Sequence, residues 1–207
     1  MRNFNKFVLA SVIAVCSVST SKAELVYDVF LRVDGTDLLD EALRVDAGQR
    51  FTAQAVFRET ATQGSTAILS TRPLGAVGLS LSTVGADGFF ENPDADDIFI
   101  IPGAGDIGGA AFGGGLNATE VRDGVFEVVF GTVDLIAPTS SSTTFLLADA
   151  QPEDSRSNWG ASGSGPQIMD RDIRFRDTTL TAIPEPTSLA FLAAMGGVLA
   201  LRRRRRI

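Results

Sequence analysis

Four carboxylates and an amide fall within seven residues, Glu91-Asn92-Pro93-Asp94-Ala95-Asp96-Asp97. Calcium takes six to eight oxygens, and closely spaced loop carboxylates supply them. Asp94, Asp96 and Asp97 are therefore candidate calcium ligands. Their spacing does not match an EF-hand loop, which needs a turn glycine and a distal glutamate. Asp34-Gly35-Thr36-Asp37 with Asp40 and Glu41 is a second acidic cluster. Solvated turn charges are the plain alternative for both.

A pair of carboxylates can also hydrolyse a glycosidic bond. Glu59, Glu91, Glu120 and Glu127 are the candidates, and Glu127 stands out because its strand is otherwise apolar. The alternative for Glu127 is a solvent-facing strand position. Sugar clefts draw on aromatic platforms, and this chain has one tryptophan and one tyrosine. Trp159 lies in a polar stretch, Ala150 to Gly165. There it serves either as a stacking contact for a ligand or as a plug in the core.

Gly103-Ala104-Gly105-Asp106-Ile107-Gly108 fits G-x-G-x-x-G formally. A dinucleotide fingerprint needs a helix to open at the glycines, so that its N-terminus meets the pyrophosphate. The continuation Gly109-Ala110-Ala111-Phe112-Gly113-Gly114-Gly115 is a poor helix, and Asp106 would repel phosphate. The segment reads as a flexible loop. Asn117-Ala118-Thr119 is a formal glycosylation sequon.

Residue types that are missing narrow the chemistry further. Between Glu24 and Ile183 there is no cysteine, histidine or lysine. Thiol nucleophiles, Ser-His-Asp triads, Schiff-base lysines, Walker lysines, imidazole zinc sites and disulfide staples are excluded there. The same stretch holds 10 arginines and 24 acidic residues, a net charge of −14. Nucleic acid is not an expected partner, because its phosphates would be repelled. The reading is a non-enzymatic domain with no cofactor other than candidate calcium.

The elements that must position these residues read as strands. Period-two alternation marks Leu25 to Val33, Phe51 to Phe57 and Val77 to Ser82. Asp97 to Ile101, Gly124 to Leu135, Thr143 to Ala148 and Ile173 to Leu180 complete the set. Turn-forming clusters separate them. Leu38 to Val45 is the one stretch expected to form a turn or two of helix, capped by Asp37. Seven or more strands in one domain, Glu24 to Ala182, imply an all-β antiparallel β-sandwich. Its type is expected to be jelly-roll or cohesin-like. Val45-Asp46-Ala47-Gly48-Gln49-Arg50-Phe51-Thr52 is similar to the lead-in of an early strand in cohesin-like sandwiches.

Both ends of the chain carry addresses. Arg2 and Lys6 precede an apolar run, Phe7 to Val18, and Ser21-Lys22-Ala23 places small residues at −3 and −1 before Glu24. This is a secretory signal peptide over residues 1–23, cut between Ala23 and Glu24. Val15 before Cys16 does not suit a lipobox. At the other end Pro184-Glu185-Pro186-Thr187-Ser188 precedes an apolar run, Leu189 to Leu201. Five arginines follow it, Arg202, Arg203, Arg204, Arg205 and Arg206, and they read as a membrane stop. The prolines keep the chain extended. The arginines remain cytoplasmic by the positive-inside rule. The run spans roughly 20 Å as a helix against a hydrocarbon core of about 30 Å, a short and weak anchor.

Residues 183–207 in this order closely resemble the PEP-CTERM sorting signal of bacterial surface proteins. The resemblance implies a Gram-negative-type envelope, a transient transmembrane helix over 189–201 in the inner membrane, and cleavage at Pro184, Glu185 and Pro186 by an exosortase. The expected function is that of an exported surface or extracellular-matrix protein, with signal peptidase and exosortase as partners and extracellular polysaccharide as a further candidate. The rival expectations are a carbohydrate- or protein-binding adhesin module and, more distantly, a carboxylate-based glycoside hydrolase.

Overall fold

The computed structural model describes residues 24–183, except 40, 41, 63, 86, 113, 153–158, 163–166 and 169–172. The expected signal peptide, residues 1–23, and the expected sorting signal, residues 183–207, apart from Ile183, lie outside the described residues. That segment includes the motif Pro184, Glu185 and Pro186, the apolar run 189–201, and the stop arginines Arg202, Arg203, Arg204, Arg205 and Arg206. Asp40 and Glu41 of the second acidic cluster also lie outside the described residues.

Alternating sequence produces long central strands. In the first sheet β1 (Leu25–Val33), β4 (Arg50–Ala61) and β10 (Val125–Ile136) lie side by side, antiparallel. The free side of β1 is shared by β2 (Thr36–Leu38) and β14 (Ile173–Phe175). The free side of β10 is shared by β6 (Phe89–Ala95) and β9 (Thr119–Arg122). The second sheet centres on β5 (Leu74–Gly85), β11 (Ser142–Asp149), β15 (Thr178–Ile183) and β3 (Ala42–Asp46). Four short strands extend it: β7 (Ile101–Pro102), β8 (Ile107–Ala110), β12 (Gly160–Ala161) and β13 (Gln167–Ile168).

The two sheets face each other across one core. Val29, Leu31, Ala55, Phe57, Val128 and Leu135 come from the first sheet. Leu74, Val77, Leu79, Ile107, Phe145 and Leu180 come from the second. Each large apolar side chain fully buried this way is worth about 1.5–3 kcal/mol, so a cysteine-free domain of this size holds itself together by packing.

The described part of the chain is all-β, with no helix among the described residues. Several expectations need correction. The sheets are not purely antiparallel: β1 pairs with β14, and β15 with β3, in parallel. Leu38 to Val45 is not helical, because Leu38 ends one strand and Ala42 begins another. Asp97 to Ile100 is a turn and coil rather than a strand, with Phe99 N donating to Asp96 O at 2.9 Å.

The strand in that region lies earlier, at β6. It is an edge strand, which tolerates Pro93, and it is bulged at Asn92, whose φ is +48°. Ile173 to Leu180 is not one strand but two, in different sheets. The chain changes sheet at Arg176-Asp177. Arg176 N donates to Val29 O, and Arg176 Nε to Asp28 Oδ1 at 2.8 Å, both in the first sheet. Asp177 Oδ1 accepts from Leu147 N in the second.

The glycine-rich stretch is not simply a loop either. It contains β8, which pairs with β5 and β7. A Cβ on Gly109 would lie 2.6 Å from Phe99 Cβ and 2.9 Å from Phe99 O. The glycine there permits close approach of another segment rather than flexibility.

Candidate functional site

Register on the outer face of the first sheet assembles the most structured polar group in the domain. Asp34 and Gly35 have φ of +48° and +77°, the signature of a type I′ two-residue hairpin. That turn sets Asp37 opposite Arg32. The β4–β10 register sets Glu127 opposite Arg58. The four side chains close into a ring. Arg32 Nε donates to Asp37 Oδ1 at 2.6 Å, and Arg32 Nη2 to Glu127 Oε2 at 2.8 Å. Arg58 Nε donates to Glu127 Oε1 at 2.7 Å, and Arg58 Nη2 to Asp37 Oδ2. Each carboxylate bridges both guanidiniums, and the ring is neutral.

The ring roofs an apolar patch on the face opposite the core. Phe30 and Val56 are cross-strand partners there and are fully buried. The Arg58 and Arg32 guanidinium carbons stand 4.4 and 5.6 Å from the Phe30 ring centre, within cation–π range. Burial alone would raise the Asp37 carboxyl, but hydrogen bonds and charge from Arg32 and Arg58 outweigh it and hold it below the ordinary value. Burial would lower Arg32, and the same two carboxylates reverse that and raise it. Glu127 is thus not solvent-facing: its side chain is only 6% exposed.

Glu59 is the other buried carboxylate, fully enclosed. Its oxygens accept from Ile68 N at 2.8 Å and Leu69 N at 2.7 Å, and the Tyr27 hydroxyl donates to it. Burial pushes its pKa up, against those three donors. By sign, any stability from this shift is full below the unfolded value near 4.3 and is lost as pH rises through the folded one. Glu59→Gln should turn an NH₂ toward one of the two backbone donors. The expected cost is about 1–3 kcal/mol, with faster amide exchange at Ile68 and Leu69 as the check.

The remaining candidates do not converge. Glu91 pairs with Arg50, and Glu120 accepts from Gly124 N at 3.3 Å. Phe126 stands between Glu59 and Glu120 in one cross-strand row. Asp94 lies on β6, and Asp96 and Asp97 follow it beside a shallow cleft of about 230 Å³. Asp96 Oδ1 caps its own turn by accepting from Ile98 N at 3.1 Å. Among the described residues no group of three or more acidic side chains is arranged to hold a metal. Asp106 Oδ2 accepts from Leu81 N, so it serves the sheet rather than a nucleotide loop.

Trp159 is not an exposed platform. It is fully buried, stacked on Phe57 at 5.6 Å and edge-on to Phe130 at 5.4 Å. Of its two sequence readings, the core plug is the one found.

A second cleft, about 400 Å³, opens beside the ring. Its walls are the ring residues with Gly35, Val121, Arg122 and Val125. Neither cleft is lined by two of the four candidate glutamates. Arg122 and the ring arginines escaped sequence reading, because ring partners lie 5, 21, 69 and 95 residues apart. The one available signal was a charge, Glu127, in an apolar strand.

Fold and site together define an all-β sandwich of two sheets with an ion-pair ring on one outer face. No protein-family model matches the sequence, and no curated protein matches it. Among solved structures, a chain of a CaDoc0917–CaCohA2 complex crystallised at pH 5.5 is similar at TM-score 0.37 and 7% identity. The match covers 77% of this chain and 100% of that one. Similarity at this level transfers no residue role.

Proposed function

We propose that this chain is an exported, non-catalytic surface or extracellular-matrix protein, sorted through the inner membrane by a PEP-CTERM/exosortase system. One observation carries the reading: the order Pro184-Glu185-Pro186, apolar Leu189 to Leu201, then the arginine stop Arg202-Arg203-Arg204-Arg205-Arg206. The domain boundaries support it. The last strand ends at Ile183, paired with Asp46, directly before the motif. The first strand begins at Leu25, directly after the expected signal-peptidase site. Glu24 N donates to Thr62 Oγ1 at 2.8 Å, and Glu24 O accepts from Thr62 N. A cut after Ala23 leaves both bonds in place, and the new ammonium strengthens the first. The sandwich is read as cohesin-like on its Val45 to Thr52 lead-in, with which the Gly124 to Leu135 and Ile173 to Leu180 segments are compatible.

Replacing Glu185 or Pro186 with alanine is expected to trap an uncleaved form in the membrane fraction. Unchanged release of the domain in both variants would refute sorting through this motif.

A further inference from the structure

We infer that the cleft beside the ion-pair ring binds a single carboxylate, with Arg122 as its charged contact. The inference is independent of the sorting proposal. Three guanidiniums, Arg32, Arg58 and Arg122, face two carboxylates, Asp37 and Glu127, around this cleft. Counted over the lining residues, that leaves one positive charge in excess, on a domain whose net charge is −14. The ring fixes Arg32 and Arg58 through their Nε and Nη2 atoms, while their Nη1 groups make no hydrogen bond with another described residue. The Arg122 side chain makes no ion pair among the described residues.

Guanidinium donors that are already immobile lose little entropy on binding, and their planar edges suit a carboxylate. Val121, half exposed, and Val125 supply an apolar wall for the rest of the ligand. Gly35 borders open space at the mouth: a Cβ built there meets nothing within 4 Å. The surrounding negative field disfavours polyanions and multiply charged phosphates. The ligand is therefore a monoanion, a carboxylate on an otherwise neutral group. A uronic-acid residue in a largely neutral glycan and a free small organic acid share this chemistry.

The test is arginine Nε–H NMR of the whole chain in detergent micelles, titrated at constant ionic strength with sodium glucuronate, sodium acetate or glucose. Loss of one signal in Arg122→Gln assigns that residue. Both carboxylates are expected to shift the Arg122 signal saturably, and glucose is not. In Arg122→Gln the affinity, followed at Arg32 and Arg58, should fall at least fivefold with an unchanged melting temperature, because Arg122 is exposed. Glucuronate binding more tightly than acetate assigns the sugar acid, and equal binding assigns a small free acid. No saturable shift, an equal response to glucose, or undiminished affinity in Arg122→Gln would overturn the site.

Discussion

Trp159→Ala is expected to remove about 3–5 kcal/mol of folding stability, the range for deleting a large buried aromatic. The indole sits where the two sheets meet. It contacts Phe57 on β4, Phe130 on β10 and Phe175 on β14, with ring centres 5.6, 5.4 and 6.0 Å away. Its own chain leads directly into β12 of the second sheet. Deleting it unseats three rings from the first sheet and leaves a cavity that the closed core cannot refill. Urea unfolding should show a lower midpoint with an unchanged slope, since the surface exposed on unfolding hardly changes. A loss under about 1 kcal/mol would mean that the indole is not in the core.

The second large effect is expected at the ring. Glu127→Ala strips one carboxylate from both Arg32 and Arg58 above the buried Phe30 ring. Breaking a buried ion pair costs about 3–5 kcal/mol. Here Arg32 and Asp37 remain 19% and 23% exposed, so water relieves part of the loss. The expected cost is about 2–4 kcal/mol. Arg122→Gln, outside the ring, should cost almost nothing, and that contrast separates the ring from general surface charge.

The ring also predicts acid sensitivity. The Asp37 pKa is depressed in the fold, so its contribution is present above the unfolded value near 3.9 and is lost as pH falls through the folded one. Stability from Asp37 should therefore fall below about pH 4, and Asp37→Asn should abolish that component.

Legibility from sequence followed periodicity. Strands β1, β4 and β5 alternate in the sequence because one face of each meets the core, and β10 and β11 were readable from their β-branched and aromatic residues. Strand β6 was not, because the Asn92-Pro93 bulge at a sheet edge breaks the alternation and fills the segment with charge. Ile173 to Leu180 reads as one β-rich run, yet it spans two sheets, and its apolar positions change parity from Ile173 and Phe175 to Leu180 across Arg176-Asp177. Alternation reports which side is buried and not which sheet a residue joins.

The glycines of β8 resemble a loop in composition, and close approaches explain them, of Ala104 against Gly108 and of Phe99 against Gly109. The ring was invisible because it depends on cross-strand register. A one-residue slip in either the β1–β2 or the β4–β10 pairing would turn its members to the other face. The proposed addresses at both ends rest on linear order alone, because that is what membrane recognition reads.

Intact mass spectrometry of protein extracted from the cell surface tests the central claim most directly. The expected species begins at Glu24 and lacks Arg202, Arg203, Arg204, Arg205 and Arg206. Recovery of surface protein that still carries those five arginines would contradict the sorting account.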